Sequence, residues 1–394
     1  MKNISNLPEI EKEFLFVSLS NQSVPEALHS EWETLLDSSN NINLLYQSPK
    51  WFEHLSKTEV YENLHLLVLK IDHNKIKGVV PILIGNYYLK FDISEWVLFK
   101  SKLETVFILG SQPLIPDDFN VYDKLFTKIS FILQNCNSIY FDSVSTKSFC
   151  WQYLKSSKKL KQLFYVYLIE GIRSYHEIKL PGTFEEYLSK FSSRKRGNLK
   201  RRVKKLNECN NGNLKLVTIK STDQITAFLD SAESIAENSW KLKRLGVRIK
   251  NNEAFRDRLI DSAKRGLLRS YILLGEKPLA FVLGYQFNDI YHYVEIAYDQ
   301  VFAKYSPGTV LLYMIIEDLI TNNSPKKVNF GIGDATFKKE FGNVHEKDAS
   351  ILLLRKNFKN RFLFTSHSLF RSGVILVKKI YKSVVLTDSK IRLE

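Results

Sequence analysis

Residues 305–313 read YSPGTVLLY, and they follow IYHYVEIAYD at 290–299. The earlier stretch is aromatic and β-branched, which predicts a strand. The later one turns at Ser-Pro-Gly-Thr and continues with apolar residues, which predicts a helix opening at Pro307. Pro307 has no N–H and presets φ, Gly308 allows close approach of backbone, and Ser306 and Thr309 bring hydroxyls. The first N–H groups of a helix have no partner inside it. The corner therefore suits a bound anion, with Lys304 and Tyr305 beside it, or serves only as a cap and turn.

Three strands lead up to this corner, in LLRSYILL, KPLAFVLGYQF and DIYHYVEIAYD, with Gly275 and Glu276 turning between the first two. After it, KKVNFGI and SILLLRK read as further strands. The first half carries a similar order. NLHLLVLKID and KIKGVVPILIGNYYLKF read as strands around a turn at Asp72, His73 and Asn74, VYDKLFTKISFILQN as an amphipathic helix, and SIYFDSV as a strand. Between the halves, polar KSSKKLKQ and a turn near Gly171 mark a divide, followed by a capping box at Thr183 and Glu186. This order predicts an α/β (α+β) protein of two related domains, 1–170 and 171–356. Each is a mixed, mainly antiparallel twisted sheet flanked by helices, with a basic helical tail over 357–394.

The totals agree. A chain of 394 residues exceeds one typical core. Cys136, Cys150 and Cys209 lack metal-site or disulfide spacing, so no metal is expected. MKNISNLPEI lacks the apolar core of a signal peptide, and no long uncharged apolar run suits a membrane span. The expected location is cytoplasmic, with the inner membrane face open as a peripheral site. A net charge of +15 points to anionic partners.

That charge is concentrated. In RKRGNLKRRVKK (194–205) eight of twelve residues are Lys or Arg, and Leu199, Val203 and Leu206 fall at helical spacing. Either this is a solvated helix face, or it binds phosphate, an anionic lipid head group or tRNA. No aromatics interleave with it, which speaks against sequence-specific nucleic-acid reading. In the tail, Phe370, Val374, Val377, Tyr381 and Val384 form an apolar stripe with Arg371, Lys378 and Lys382 on another face. Such a helix docks on its own domain, on a partner, or on an anionic membrane.

The blocks 192–206, 265–299, 304–319 and 329–343, in that order and spacing, resemble GNAT-fold acyltransferases of the Fem-like and cellulose-biosynthesis-associated acetyltransferase type. The resemblance implies two tandem GNAT-like domains, of which the first completes the acceptor cleft and lacks a donor site. It implies acyl-CoA (acetyl-CoA) as co-substrate, with no tightly bound cofactor, its pyrophosphate at the helix opening over Lys304, Tyr305, Ser306, Pro307, Gly308 and Thr309. It implies an acceptor amine or hydroxyl on a phosphorylated or sugar-bearing precursor of polysaccharide or cell envelope, with Arg194, Arg196, Trp240 and Tyr293 near the acceptor cleft. Glu295 stands where many such enzymes place a base. Tyr291, Tyr293 and Glu295 should share one strand face, and His292 and Val294 the other. Asp334 and Lys338 are the remaining site candidates. Glu295 equally reads as a surface carboxylate, Asp334 as a helix cap and Trp240 as core.

The chain departs from the pattern twice. It lacks the glycine-rich Q/R-x-x-G-x-G/A loop, and Phe337 stands where a tyrosine is usual. Two other readings follow: a Fem-type transferase fed by aminoacyl-tRNA, and a catalytically inactive GNAT-like binding protein.

Overall fold

The computed structural model describes residues 13–18, 24–39, 41–57, 63–71, 75–93, 96–132, 136–239, 249–322, 325–333 and 335–391. The turn at 72–74 lies outside them, as do two site candidates, Trp240 and Asp334. The strands are β1 (Glu13–Ser18), β2 (Leu64–Ile71), β3 (Lys75–Ile93), β4 (Trp96–Ile108), β5 (Ser138–Ser145), β6 (Phe164–Lys179), β7 (Lys215–Ile219), β8 (Ser270–Leu274), β9 (Pro278–Phe287), β10 (Ile290–Tyr298), β11 (Lys327–Ile332) and β12 (Val344–Arg355). They form one mixed sheet in the order β1-β2-β3-β4-β5-β12-β6-β11-β10-β9-β8-β7, flanked by helices.

The two ends of this sheet follow one pattern. From each edge, antiparallel strands run inward to a single parallel pair, β4 with β5 and β10 with β11. A helix precedes the second member of each pair, Phe119–Ile132 in the first half and Pro307–Thr321 in the second. At the centre the halves interleave. β12, last in the chain, pairs with β5 of the first half, and β6 pairs with β11 of the second. The turn expected near Gly171 is absent: β6 runs through it, with Gly171 at φ +70. Position 170 therefore falls inside a strand. The polar stretch 155–162 is helical too, because the Ser157 hydroxyl caps Lys158–Leu163 by accepting from the Leu160 N–H.

The core matches this interleaving. Ala349, Ile351 and Leu353 of β12 are buried with Phe126, Phe141 and Tyr153 of the first half. On another face, helices Glu26–Asp37 and Pro49–Ser56 share a core with Ile225–Glu237 and Glu253–Lys264. Across that seam His54 Nδ1 hydrogen-bonds Asp261 at 2.9 Å, and Arg265 forms an ion pair with Glu53. The tail is a single helix, Phe358–Ile391. It docks on the sheet through Leu363, Phe364 and His367, and Phe370 meets Phe91 at 5.4 Å between ring centroids. The predicted stripe is thus split: Val374 is buried, whereas Val377 is exposed.

Leu353→Ala should cost about 2–5 kcal/mol, as for other fully buried leucines. Because β12 is shared, the thermal transition should move as one. Two transitions, with only one displaced, would contradict the interleaved sheet.

Candidate active site

β10 and β11 pair over only three positions, Ile290–Lys327, Tyr291–Val328 and His292–Asn329. Beyond them the strands part. On β10 the register slips between Tyr293 and Glu295, a bulge at Val294. On β11 it slips between Asn329 and Ile332, where Gly331 takes φ +67 and donates its N–H to Asn329 Oδ1 at 2.7 Å. The strand end is held by Lys338, whose ammonium donates to the carbonyls of Phe330 at 2.7 Å and Ile332 at 2.8 Å. β4 and β5 likewise pair over three positions before separating. The openings share a cleft of about 870 Å³, walled by Phe107, Tyr140, Tyr175, His292, Glu295 and Asn329 among others, with Lys338 and Tyr293 on its lining.

The bulge corrects the expected alternation. Glu295 stands opposite Leu283, as His292 stands opposite Tyr285. Both partners belong to the core on the far side from Tyr291 and Tyr293. Glu295 therefore shares a face with His292 rather than with the tyrosines. It is buried, at 7% exposure. His292 is buried as well, and burial pushes its imidazole down to about 3, so the ring is neutral at ordinary pH. Asn329 Nδ2 stands 3.4 Å from His292 Nδ1 and donates to Asn43 Oδ1 at 3.0 Å. Asn43 in turn donates to the Ser111 hydroxyl at 3.0 Å. The asparagine amide facing Nδ1 puts the imidazole proton on Nε2.

Three residues that line this cleft each have a buried polar atom with no hydrogen-bond partner among the described residues: His292 Nε2, Tyr293 Oη and Tyr175 Oη. Each orphan costs about 1–3 kcal/mol; His292 lies on the Glu295 face of β10 and Tyr293 on the other. Tyr175 also lines an adjoining cavity of about 700 Å³ with Asp117, Glu177, Glu346 and Asp348. Burial, with Glu346 and Asp142 nearby, raises Asp348 to about 6, against a lowering hydrogen bond from Ser143 at 2.5 Å and the charge of Arg173.

The corner at 305–309 is a second feature. A 3-10 turn, Gln300–Tyr305, precedes it, and Ser306 adopts the left-handed region at φ 57 and ψ 53. The N–H groups of Thr309 and Val310 both reach the Ser306 carbonyl, at 3.0 and 3.2 Å. Pro307 has none. Fewer donors are therefore open than the sequence implies, and the Gly308 N–H is the one left without an acceptor among the described residues. A side chain on Gly308 would meet Tyr298 at 3.3 Å, so the helix start sits close against β10.

Against this corner stands the basic helix, Ser193–Glu208, docked by Leu199 and Leu206 as its spacing predicts. A cavity of about 270 Å³ is lined by Asn198, Arg201, Arg202 and Lys205 from that helix and by Lys304, Tyr305 and Ser306 from the corner. Two motifs far apart in sequence thus meet around one anion-sized space. Arg194 and Arg196 are not part of it. Arg194 is exposed, and Arg196 donates to the Phe191 carbonyl at 2.7 Å. Neither of these arginines lines the cleft. Sequence reasoning missed Arg201, Arg202 and Lys205, since periodicity separates the docked stripe from the cations without ranking the cations. It also missed the set formed by Asn43, Tyr175, His292 and Asn329, because it draws on four separate segments.

Residues 193–339 match the family described as Acetyltransferase (GNAT) domain. No curated protein matches the chain. Among solved structures it is similar to FemX, at 12% identity and TM-score 0.57, over 86% of this chain and 97% of that one. L-PGS from Bacillus licheniformis aligns at 11% identity and TM-score 0.49, over 92% and 98%. Saccharomyces cerevisiae N-myristoyltransferase with bound myristoyl-CoA aligns at 11% identity and TM-score 0.43, over 90% and 82%. The match to FemX is one of fold.

Asp348 yields a pH test. An acid raised in the folded state holds its proton more tightly there than in the unfolded chain. Its effect is therefore a loss of stability as pH climbs from the ordinary 3.8 to about 6, amounting to about 3 kcal/mol above that range. Asp348→Asn should raise the melting temperature above pH 6, with the gain gone below pH 4. A pH-independent gain, or a loss at pH 8, would refute this.

Proposed function

We propose that this chain is an acyltransferase that moves an acyl group, acetyl in the simplest case, from acyl-CoA to an amine or hydroxyl of a sugar-bearing or phosphorylated precursor of polysaccharide or cell envelope. The observation that carries the donor assignment is the meeting of the corner with the basic helix. A diphosphate there has the side chains of Lys304, Arg201, Arg202 and Lys205 in one cavity wall, with Ser306 bringing that wall to the positive start of Pro307–Thr321. The family match over 193–339 supports the same reading. Tandem GNAT-like domains suit the repeated strand pattern. The acceptor class rests on the resemblance of the sequence blocks.

The chemistry then falls to the cleft. The separated edges of β10 and β11 carry backbone groups free of a shared ladder, and an extended acyl-pantetheine arm can lie between them as a strand would. Glu295 takes the proton from the acceptor's nucleophile as its lone pair attacks the thioester carbonyl. The tetrahedral oxyanion needs a fixed donor, and the neutral His292 Nε2–H, on the same face of β10 as Glu295 and with no acceptor among the described residues, is the one that fits. The C–S bond then breaks, and CoA leaves as a thiolate that takes a proton from solvent. Phe337 offers no hydroxyl for that step. Lys338 keeps the β11 end in place.

Two outcomes test this. Coenzyme A at about 100 times its Kd should stabilise the chain by about 2.7 kcal/mol, a melting rise of roughly 3 °C at this size. Gly308→Glu should abolish the rise. The new side chain meets Tyr298 at 3.3 Å, so the unliganded melting temperature should fall, and the shift is read against the variant's own unliganded value. A rise retained in Gly308→Glu would move the donor elsewhere. Glu295→Gln should keep the coenzyme A shift and lower kcat by about 10²–10⁴-fold; unchanged kcat would remove Glu295 from the chemistry.

Lys200 and Lys204 extend the exposed cationic face of the same helix beyond the corner cavity, which favours aminoacyl-tRNA as the second reading. Stabilisation by charged tRNA, and none by coenzyme A, would select it.

A further inference from the structure

The ribbon formed by β3 and β4 outruns the sheet. β2 pairs with β3 only as far as Leu83, and β5 pairs with β4 only over Thr105–Phe107. From Ile84 to Glu104 the two strands pair with each other alone; Leu89 and Leu103 pack on Tyr167, Leu352, Leu354 and Leu363, and the ribbon beyond them forms an arm. Near its tip four consecutive residues are apolar and exposed: Trp96 at 78%, Val97 at 42%, Leu98 at 63% and Phe99 at 60%. A strand that packs on one face alternates, so four exposed apolar residues in a row mean that neither face is fully covered at the tip.

The tail helix runs along this arm toward the tip. His367 Nε2 lies 3.0 Å from the Lys90 carbonyl, Phe370 packs on Phe91, and Arg371 pairs with Asp92 at 3.6 Å. The next turn, with Ile375 and Leu376, therefore reaches the tip. Both residues are exposed. Away from the docked stripe, Phe358, Phe362, Leu369 and Leu376 recur at spacings of four, seven and seven. That is one helix face, and all four are exposed. Lys90, Lys100 and Lys102 on the arm and Lys359 and Arg361 on the helix are exposed around these apolar residues.

We propose that the arm's tip and the outer stripe of the tail helix form a membrane-docking surface whose occupant is an anionic lipid bilayer. Trp, Leu and Phe at a protruding tip enter the headgroup–acyl boundary, and the surrounding lysines meet anionic head groups. Near the tip Asp92 is paired with Arg371 while Lys90, Lys100 and Lys102 are exposed, so a second copy of this chain would bring the same excess of positive charge and an anionic bilayer fits better. No helix among the described residues is long and apolar enough to cross a membrane, so the contact is interfacial. The surface is separate from the acyl-transfer reading and stands without it.

Flotation of the full chain tests this, with vesicles of phosphatidylcholine alone or mixed with phosphatidylglycerol. The native chain should float with the mixed vesicles, remain below with phosphatidylcholine alone, and be released by salt. Trp96→Ser/Phe99→Ser and Lys100→Glu/Lys102→Glu should each weaken partitioning about tenfold or more. Their melting temperatures should be unchanged, since these side chains are exposed. The proposal is overturned if the native chain stays below with mixed vesicles, or if both variants float as it does. It is equally overturned if the native chain proves to be a dimer that Trp96→Ser/Phe99→Ser dissolves without any vesicle binding.

Discussion

The site depends on a parallel ladder that stops. β10 and β11 share three positions and then diverge, and divergence of two central strands strands their backbone groups. The chain meets that cost locally. Lys338 takes two carbonyls of β11, Asn329 takes the Gly331 N–H, and the Val294 bulge turns Glu295 inward. These residues keep open a gap that would otherwise close into sheet. The gap lets a helix start close against β10 and leaves the cleft open between the strands.

Interleaving explains why the cleft sits between the halves. With β12 beside β5 and β6 beside β11, both openings face the same central strands. Tyr175 of β6 and Asn43 of the first half then stand with His292 and Asn329 of the second. No half could build this lining alone. The seam is reinforced away from the cleft by His54, Asp261, Arg265 and Glu53, so the lining is held on rigid elements.

Much of the fold was legible, because strand alternation and helix caps act over a few residues. The corner at 305–309, the docked face of the basic helix and the strands of the second half follow from local pattern. Other features were not. β1 and β4 carry no clear alternation, and the four apolar residues of 96–99 are explained by the projecting arm. The strand through Gly171 reads as a turn until pairing on both sides is known. The face of Glu295 depends on a bulge, which shifts the period by one without a signal in composition. Of the candidate site, Glu295, Lys338 and Tyr293, which line the cleft, and Gly308, at the helix start, were named through resemblance. His292, Asn329 and Tyr175 were not, since their unpaired or mutual hydrogen bonds arise only when distant segments meet.

The most direct measurement is a crystal structure of the chain with acetyl-coenzyme A. The account predicts the diphosphate at the Gly308 N–H beside Arg201, Arg202, Lys205 and Lys304, and the thioester in the opening between β10 and β11, near Glu295 and His292. Acetyl-coenzyme A lodged instead between β4 and β5 of the first half, or a corner left empty at saturating ligand, would contradict it.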